Sequence, residues 1–317
     1  MAESTEPIPV ERSAKYWLDH GDVILQVESV QFRLNKSTLA FHSPVFRDMF
    51  SLPLPPDKPL IDNCPVVVLS GDRSADWLEL LDVLFPRLCF VETHPNLDQI
   101  IALLRLSKKY EIKGFQHQCV ERLRANFPST LDGYKEVETQ WKDIDVPEPE
   151  DGVDLPELAV KVVNVAREVG LHSVLPVAFY TIIASSVGAA TDNENILKLE
   201  LCDQRACYKG FIQVTKDYLR TPFKCFEPGK YIPCEACERE PRCNSIGLLL
   251  KLGLENNRHS MANIVGKWDD EWDEQFCPAC VGCAKEVFER AREKCWDKLP
   301  SYFGLPDWEE LKRMDIE

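Results

Sequence analysis

DVILQVESVQFRLNKSTLAFHSPVFRDMF, residues 22–50, decides how the N-terminal part of this chain folds. Val23, Leu25 and Val27 alternate with more polar neighbours, and so do Val30, Phe32 and Leu34. A period of two puts each trio on one face of a strand, which predicts strands over Val23–Val27 and Val30–Leu34 joined by a tight turn. The pattern then changes. Ser37 is placed to cap a helix through Leu39 and Phe41, and Ser43 to cap a second helix with Pro44 at its first position, where the missing N–H costs nothing. Val45, Phe46, Met49 and Phe50 recur at helical spacing. A hairpin running straight into two short helices predicts an α+β unit.

The segments on either side extend that unit. After a Pro-rich connector from Leu52 to Leu60, Pro65–Ser70 (PVVVLS) predicts a third strand. A helix follows from Ser74 or Ala75 to Phe85, with Asp72 and Ser74 as candidate caps. Asn96 to Pro128 predicts a closing helix pair, with Leu97, Ile100, Leu103, Leu104 and Ser107 in one stripe and Phe115, Cys119, Val120 and Leu123 in another. Leu106–Phe115 (LSKKYEIKGF) forms the elbow between them.

This order of elements resembles a BTB/POZ domain, a protein-interaction fold, over about Lys15 to Pro128. Asn35 stands where that family usually has a His in the turn after the second strand, and Asn suits a turn equally well. The resemblance implies a dimer or partner surface on the N-terminal segment and first helices: Tyr16, Trp17, Leu18, Leu39, Val45, Phe46, Met49 and Phe50. Of these, Phe46 and Met49 also read as core. The implied partners are a second copy of the chain or another BTB protein. Many BTB proteins are substrate adaptors of cullin-type ubiquitin ligases, and Phe90 and Glu92 match the hydrophobic-x-acidic element such adaptors carry. A transcriptional co-regulator without direct DNA contact is a third reading.

The chain has 317 residues, more than one such domain needs. Its hydrophobic fraction of 44% and charged fraction of 28% are enough to build ordinary buried cores. A net charge of −15, with no Lys/Arg-rich stripe, argues against nucleic acid as a partner, because phosphate binding needs a basic surface. The N-terminus is polar and does not read as a secretory signal. The longest apolar run, Leu175–Ala190, is too short for a bilayer crossing and reads as a buried helix. These features predict an intracellular protein of the cytoplasm or nucleus with no membrane contact.

Residues 1–14 read as a disordered arm and 129–154 as a Pro-rich, acidic linker. From 155 to 317 a mostly helical, Cys-rich domain is expected. Leu158, Val162, Val165, Ala166 and Val169 line one helix that Gly170 ends; a second helix runs from Leu175 or Pro176 to about Val187. A third, capped by Asp203, spans Cys202 to Arg220, with Ala206, Phe211, Val214 and Tyr218 as buried candidates.

Ten of the 13 cysteines fall between Cys202 and Cys295. Cys234-x-x-Cys237 and Cys277-x-x-Cys280 are two knuckle-like pairs, and four thiolates in two such turns suit a tetrahedral structural zinc. Cys225, Cys243, Cys283 and Cys295 are spare ligands; His259 reads as a surface residue. Buried unliganded thiols and, in an oxidising compartment, disulfides are the alternatives. After Trp268, an aromatic series of Phe288, Trp296, Phe303 and Trp308 predicts a C-terminal clamp onto this domain. Leu299-Pro300-x-x-Phe303-Gly304-Leu305-Pro306-x-Trp308, with the Cys-rich helical region, is similar to a group of basidiomycete BTB proteins, which implies an architecture but no mechanism.

Catalytic signatures are not found in the sequence. It has no Gly-x-Ser-x-Gly elbow, no phosphate-binding loop and no dinucleotide fingerprint. None of its six histidines has a Glu two residues on, so the zinc-deaminase pattern fails although Phe276–Cys280 superficially fits it. The expectation is an interaction protein that is not an enzyme.

Overall fold

A computed structural model describes residues 9–53, 60–86, 94–137, 141–142, 144–146, 155–184, 194–218, 220–227, 229–256 and 264–316. The chain divides into two units, Met1–Arg122 with Asp143–Val146, and Leu123–Lys142 with Pro147–Glu317.

The first unit holds β1 (Glu11–Trp17), β2 (Val23–Val27), β3 (Val30–Leu34), α1 (Lys36–His42), α2 (Pro44–Ser51), β4 (Leu60–Ile61), β5 (Cys64–Leu69), α3 (Ser74–Leu84), α4 (Leu97–Lys109) and the start of α5 (Lys113–Asn126). The strands form one sheet in the order β1-β3-β2-β5-β4. β2 is central: Leu25 pairs antiparallel with Phe32 of β3 and parallel with Val67 of β5. Successive side chains of a strand point to opposite faces, yet Val23, Ile24, Leu25 and Val27 are all buried. Both faces of β2 are therefore covered, which a one-sided alternation does not anticipate.

The predicted hairpin bounds match β2 and β3. The predicted N-terminal arm is instead partly strand, because β1 pairs parallel with β3 from Glu11 onward and buries Ser13 and Tyr16. Ser37 is not a cap. Asn35 precedes α1, and the Asp22 carboxylate accepts the Lys36 N–H at 2.7 Å, so a residue on another element does that work. Ser43 does cap α2: its Oγ accepts the Phe46 N–H at 3.1 Å, with Pro44 at the first helical position. The same hydroxyl donates to the Tyr110 carbonyl at 2.5 Å, tying α2 to the end of α4.

Asp72, expected as a cap of α3, turns inward and accepts hydrogen bonds from Trp77 Nε1 at 3.0 Å and from the Tyr110 hydroxyl. Burial, then the bond to Asp72, raises the Tyr110 phenol above its ordinary value. The start of α3 is satisfied by Glu28, whose Oε2 takes the Ser74 N–H at 2.9 Å and its hydroxyl at 2.7 Å. The Ser74 backbone N–H and then its hydroxyl lower the Glu28 carboxyl. Phe46 lies at the centre of this packing, stacked on Tyr110 at 4.5 Å and edge-on to Trp77 at 5.9 Å.

The second unit holds the end of α5 and α6 (Leu131–Val137), α7 (Leu155–Val169), α8 (Leu175–Ala184), α9 (Glu194–Leu197), α10 (Leu201–Tyr218), α11 (Glu240–Asn256), α12 (Glu271–Gln275), α13 (Pro278–Tyr302) and α14 (Trp308–Met314). The expected linker thus opens as helix, with Leu131 buried and the Asn126 side chain bonded to the Lys142 N–H at 2.7 Å. Gly170 ends α7 at φ +80°, a left-handed turn that glycine adopts without cost. Buried on nearly every side, α8 is a core helix. Asp203, also expected as a cap, is buried in the first turn of α10 and holds Arg167 through Nε at 3.1 Å and Nη2 at 2.6 Å.

The C-terminal aromatics pack within the second unit. Trp308 stacks on Trp296 at 5.3 Å and donates its Nε1 proton to the Trp296 carbonyl at 3.0 Å. Asp315 accepts the Ser173 N–H at 2.8 Å and Arg124 at 2.9 Å, which pins the tail. Phe303 lies over Gly210 of α10, where an added Cβ would meet its Cε1 at 2.2 Å. Gly210→Ala should therefore lower stability by about 2 kcal/mol, since overpacking outweighs the gain in helix propensity. Thermal denaturation should show a fall of about 5 °C for a unit of this size; an unchanged or raised midpoint would contradict the close approach.

Candidate metal centre and docking surface

Four sulfurs in the second unit converge: those of Cys237, Cys243, Cys277 and Cys280 all lie within 4.8 Å of one another. A tetrahedral zinc with bonds near 2.3 Å separates its thiolates by about 3.8 Å. The Cys237–Cys277 sulfur distance is 3.7 Å, so the donor set is soft, four-fold and nearly at ligand spacing. The fit to a structural metal is good.

Three local structures deliver these thiols. Cys237 lies in a turn closed by its N–H to the Cys234 carbonyl at 3.0 Å. Cys243 is in the first turn of α11, which begins just after that turn. Cys277 is the N-cap of α13, and Cys280 lies in the helix's first turn, after Pro278. The second Cys-x-x-Cys is thus a helix start and not a free knuckle. The start of α13 directs the Cys280 N–H at the Cys277 sulfur, which favours its thiolate.

Burial works to raise the Cys277 thiol, but hydrogen bonds from the Cys280 and Glu238 backbone, and from the Cys280 and Cys237 side chains, bring it down to about 6. Burial foremost raises its neighbours Cys280 and Cys243. Outside the cluster, burial likewise pushes Cys119, Cys207 and Cys225 up to about 12, and Cys295 to about 11. Those four act as small apolar side chains.

The sequence pairs are brought together with one exchange. Cys234 lies at the edge, its sulfur 3.7 Å from that of Cys280, while Cys243 completes the compact quartet. Cys225 and Cys295, the other inner spares, do not join. The signal for Cys243 was its place shortly after Cys237, ahead of an apolar helix. Next in sequence to Cys225 and Cys277, Phe226 and Phe276 belong to an aromatic group that also includes Trp268, Trp272 and Phe288. Phe226 stacks on Phe276 at 6.0 Å and meets Trp272 edge-on at 5.0 Å, and Trp268 meets Phe288 at 5.4 Å. Asp273 accepts from Trp268 Nε1 at 2.8 Å and from Lys285, whose bond lowers its carboxyl. His259 lies outside the described residues.

In the first unit, the residues implied as an interface divide in two. Tyr16, Leu39 and Phe46 are buried within the unit, Tyr16 donating its hydroxyl proton to Asp82. Trp17, Leu18, Val45, Met49 and Phe50 are half-buried, and the Arg12 guanidinium lies 4.4 Å over the Trp17 ring. Phe41, absent from the expected set, is 84% exposed. Phe90 and Glu92 fall outside the described residues. Among the described residues, no helix is long and apolar enough to cross a membrane.

A small mixed sheet wrapped by short helices, with apolar groups left outward on the first helix pair, is the form of a protein-interaction module. Residues 13–127 match the family model of the BTB/POZ domain, and the N-terminal unit is such a domain. No curated protein matches the chain.

Proposed function

We propose that the chain is a non-enzymatic interaction scaffold. Its BTB/POZ unit docks to a second copy of itself or to another BTB protein, and zinc on the thiol quartet stabilises its helical unit. One observation carries the docking: α1 and α2 bury only Leu39 and Phe46, so Phe41, Val45, Met49 and Phe50 keep apolar surface that their own unit does not cover. Surface of that kind is what an isologous two-fold interface hides. A reducing compartment, cytoplasm or nucleus, keeps the thiols available to metal.

Light scattering at micromolar concentration tests the docking. The wild-type chain should be a dimer, and Phe41→Asp should weaken the dimer at least about tenfold, or about 1.4 kcal/mol, with an unchanged melting midpoint at concentrations where both chains are monomeric. A monomeric wild type, or an unaffected variant dimer, would remove the reading. Co-purification with a cullin, lost in Glu92→Ala, would favour the adaptor alternative. The co-regulator alternative has no structural observation of its own.

A further inference from the structure

Four thiols satisfy one tetrahedral ion, yet the cluster does not end with four. The Cys234 sulfur lies 3.7 Å from that of Cys280, and the Cys234 N–H points at the same sulfur from 3.4 Å. Cys283 shares a hydrogen bond with Cys234 and lies close enough for the Cys277 charge to act on it. Cys277, Cys280 and Cys283 recur every third residue at the start of α13, a spacing that keeps side chains on one helix face. Cys234, Cys237 and Cys243 come from the facing turn and the first turn of α11. Cys280 lies 3.7 Å from Cys234 and also belongs to the quartet with Cys237, Cys243 and Cys277.

We propose that these six cysteines form a binuclear thiolate cluster in which Cys277 and Cys280 bridge two zinc-class divalent ions. Cys237 and Cys243 complete the inner ion, and Cys234 and Cys283 the outer one. Each ion then has four sulfur ligands, the coordination that closed structural sites require. Two dications with six thiolates also carry the same net charge as one dication with four, so the second ion adds no charge that the surroundings must absorb. The outer ion lies nearer solvent, since Cys283 is exposed and Cys234 half-exposed. It should exchange first with a chelator. The proposal rests on the quartet binding metal at all, and stoichiometry separates the two claims.

Native mass spectrometry and elemental analysis of the full chain, purified under reducing conditions and dialysed against trace zinc, give the count directly. Two ions per chain are expected. Cys283→Ser and Cys234→Ser should each hold one, while Cys202→Ser, an exposed cysteine on α10, keeps two. Because Cys283 is exposed, its exchange leaves the fold intact. Cadmium-113 spectra of the cadmium-loaded chain should show two coupled resonances, a signature of shared thiolates. One ion in the wild type, unchanged by Cys283→Ser, would overturn the bridged pair and leave the single site standing. No ion at all would overturn both.

Discussion

Cys237→Ser should strip metal from the inner position and loosen the part of the second unit built around it. The thiolate quartet joins three elements, the turn at 234–237, the start of α11 and the start of α13, that are otherwise linked through few buried side chains. Metal that binds only the folded state stabilises it by about 4 kcal/mol when free zinc exceeds the dissociation constant a thousandfold. At about 2–4 °C per kcal/mol for a unit of this size, the melting midpoint should fall by about 10 °C. Excess chelator should produce at least that fall in the wild type and a smaller one in the variant. Limited proteolysis should then cut within 229–256, where α11 exposes Leu248, Leu249 and Leu252 and is anchored at its Cys243 end. Cys225→Ala is the control: its thiol is buried, bonded to the Pro222 carbonyl, and outside the cluster, so metal content should not change. A Cys237→Ser chain that melts like the wild type would mean that the sulfurs are neighbours without an ion.

What could be read in the chain beforehand follows from the range of each interaction. The β2–β3 hairpin, the Ser43 cap, the α4 stripe and the Gly170 stop are local patterns, complete within a few residues, and all appear where expected. β1 was not legible because Glu11–Trp17 has no alternation: Ser13 and Tyr16 are buried three residues apart, and only pairing with β3 makes it a strand. The Ser37 and Asp72 caps failed for a shared reason, while Asp203 is drawn inward by Arg167. Partners distant in sequence, Asp22 for α1 and Glu28 for α3, satisfy the helix starts, which leaves Asp72 free to hold Trp77. At the thiol cluster the residue type and both Cys-x-x-Cys pairs were visible. The choice of Cys243 over Cys234 was not, because it depends on which sulfur the first turn of α11 brings inward.

Phe46→Ala should be the most damaging single change in the BTB/POZ unit, and it separates core from interface. Family resemblance places Phe46 on the dimer surface, while its side chain here is 1% exposed. The ring stacks on Tyr110 and Phe50 and meets Trp77 edge-on, and Tyr110 and Trp77 share Asp72 beneath. Truncating a buried Phe costs about 3–5 kcal/mol, the lost transfer energy plus the cavity left between rings that the Asp72 bonds hold in place. At about 4 °C per kcal/mol, the first unit should melt about 12–20 °C lower, followed by near-ultraviolet circular dichroism or by Trp77 fluorescence. Phe41→Asp, five residues earlier on α1, should do the reverse, weakening self-association while leaving the midpoint of the dilute monomer in place. The pair of variants discriminates because each readout moves for only one residue. If Phe46→Ala kept its midpoint and lost the dimer instead, the ring would have to lie between chains, and the packing of α2 against Tyr110 and Trp77 would be wrong.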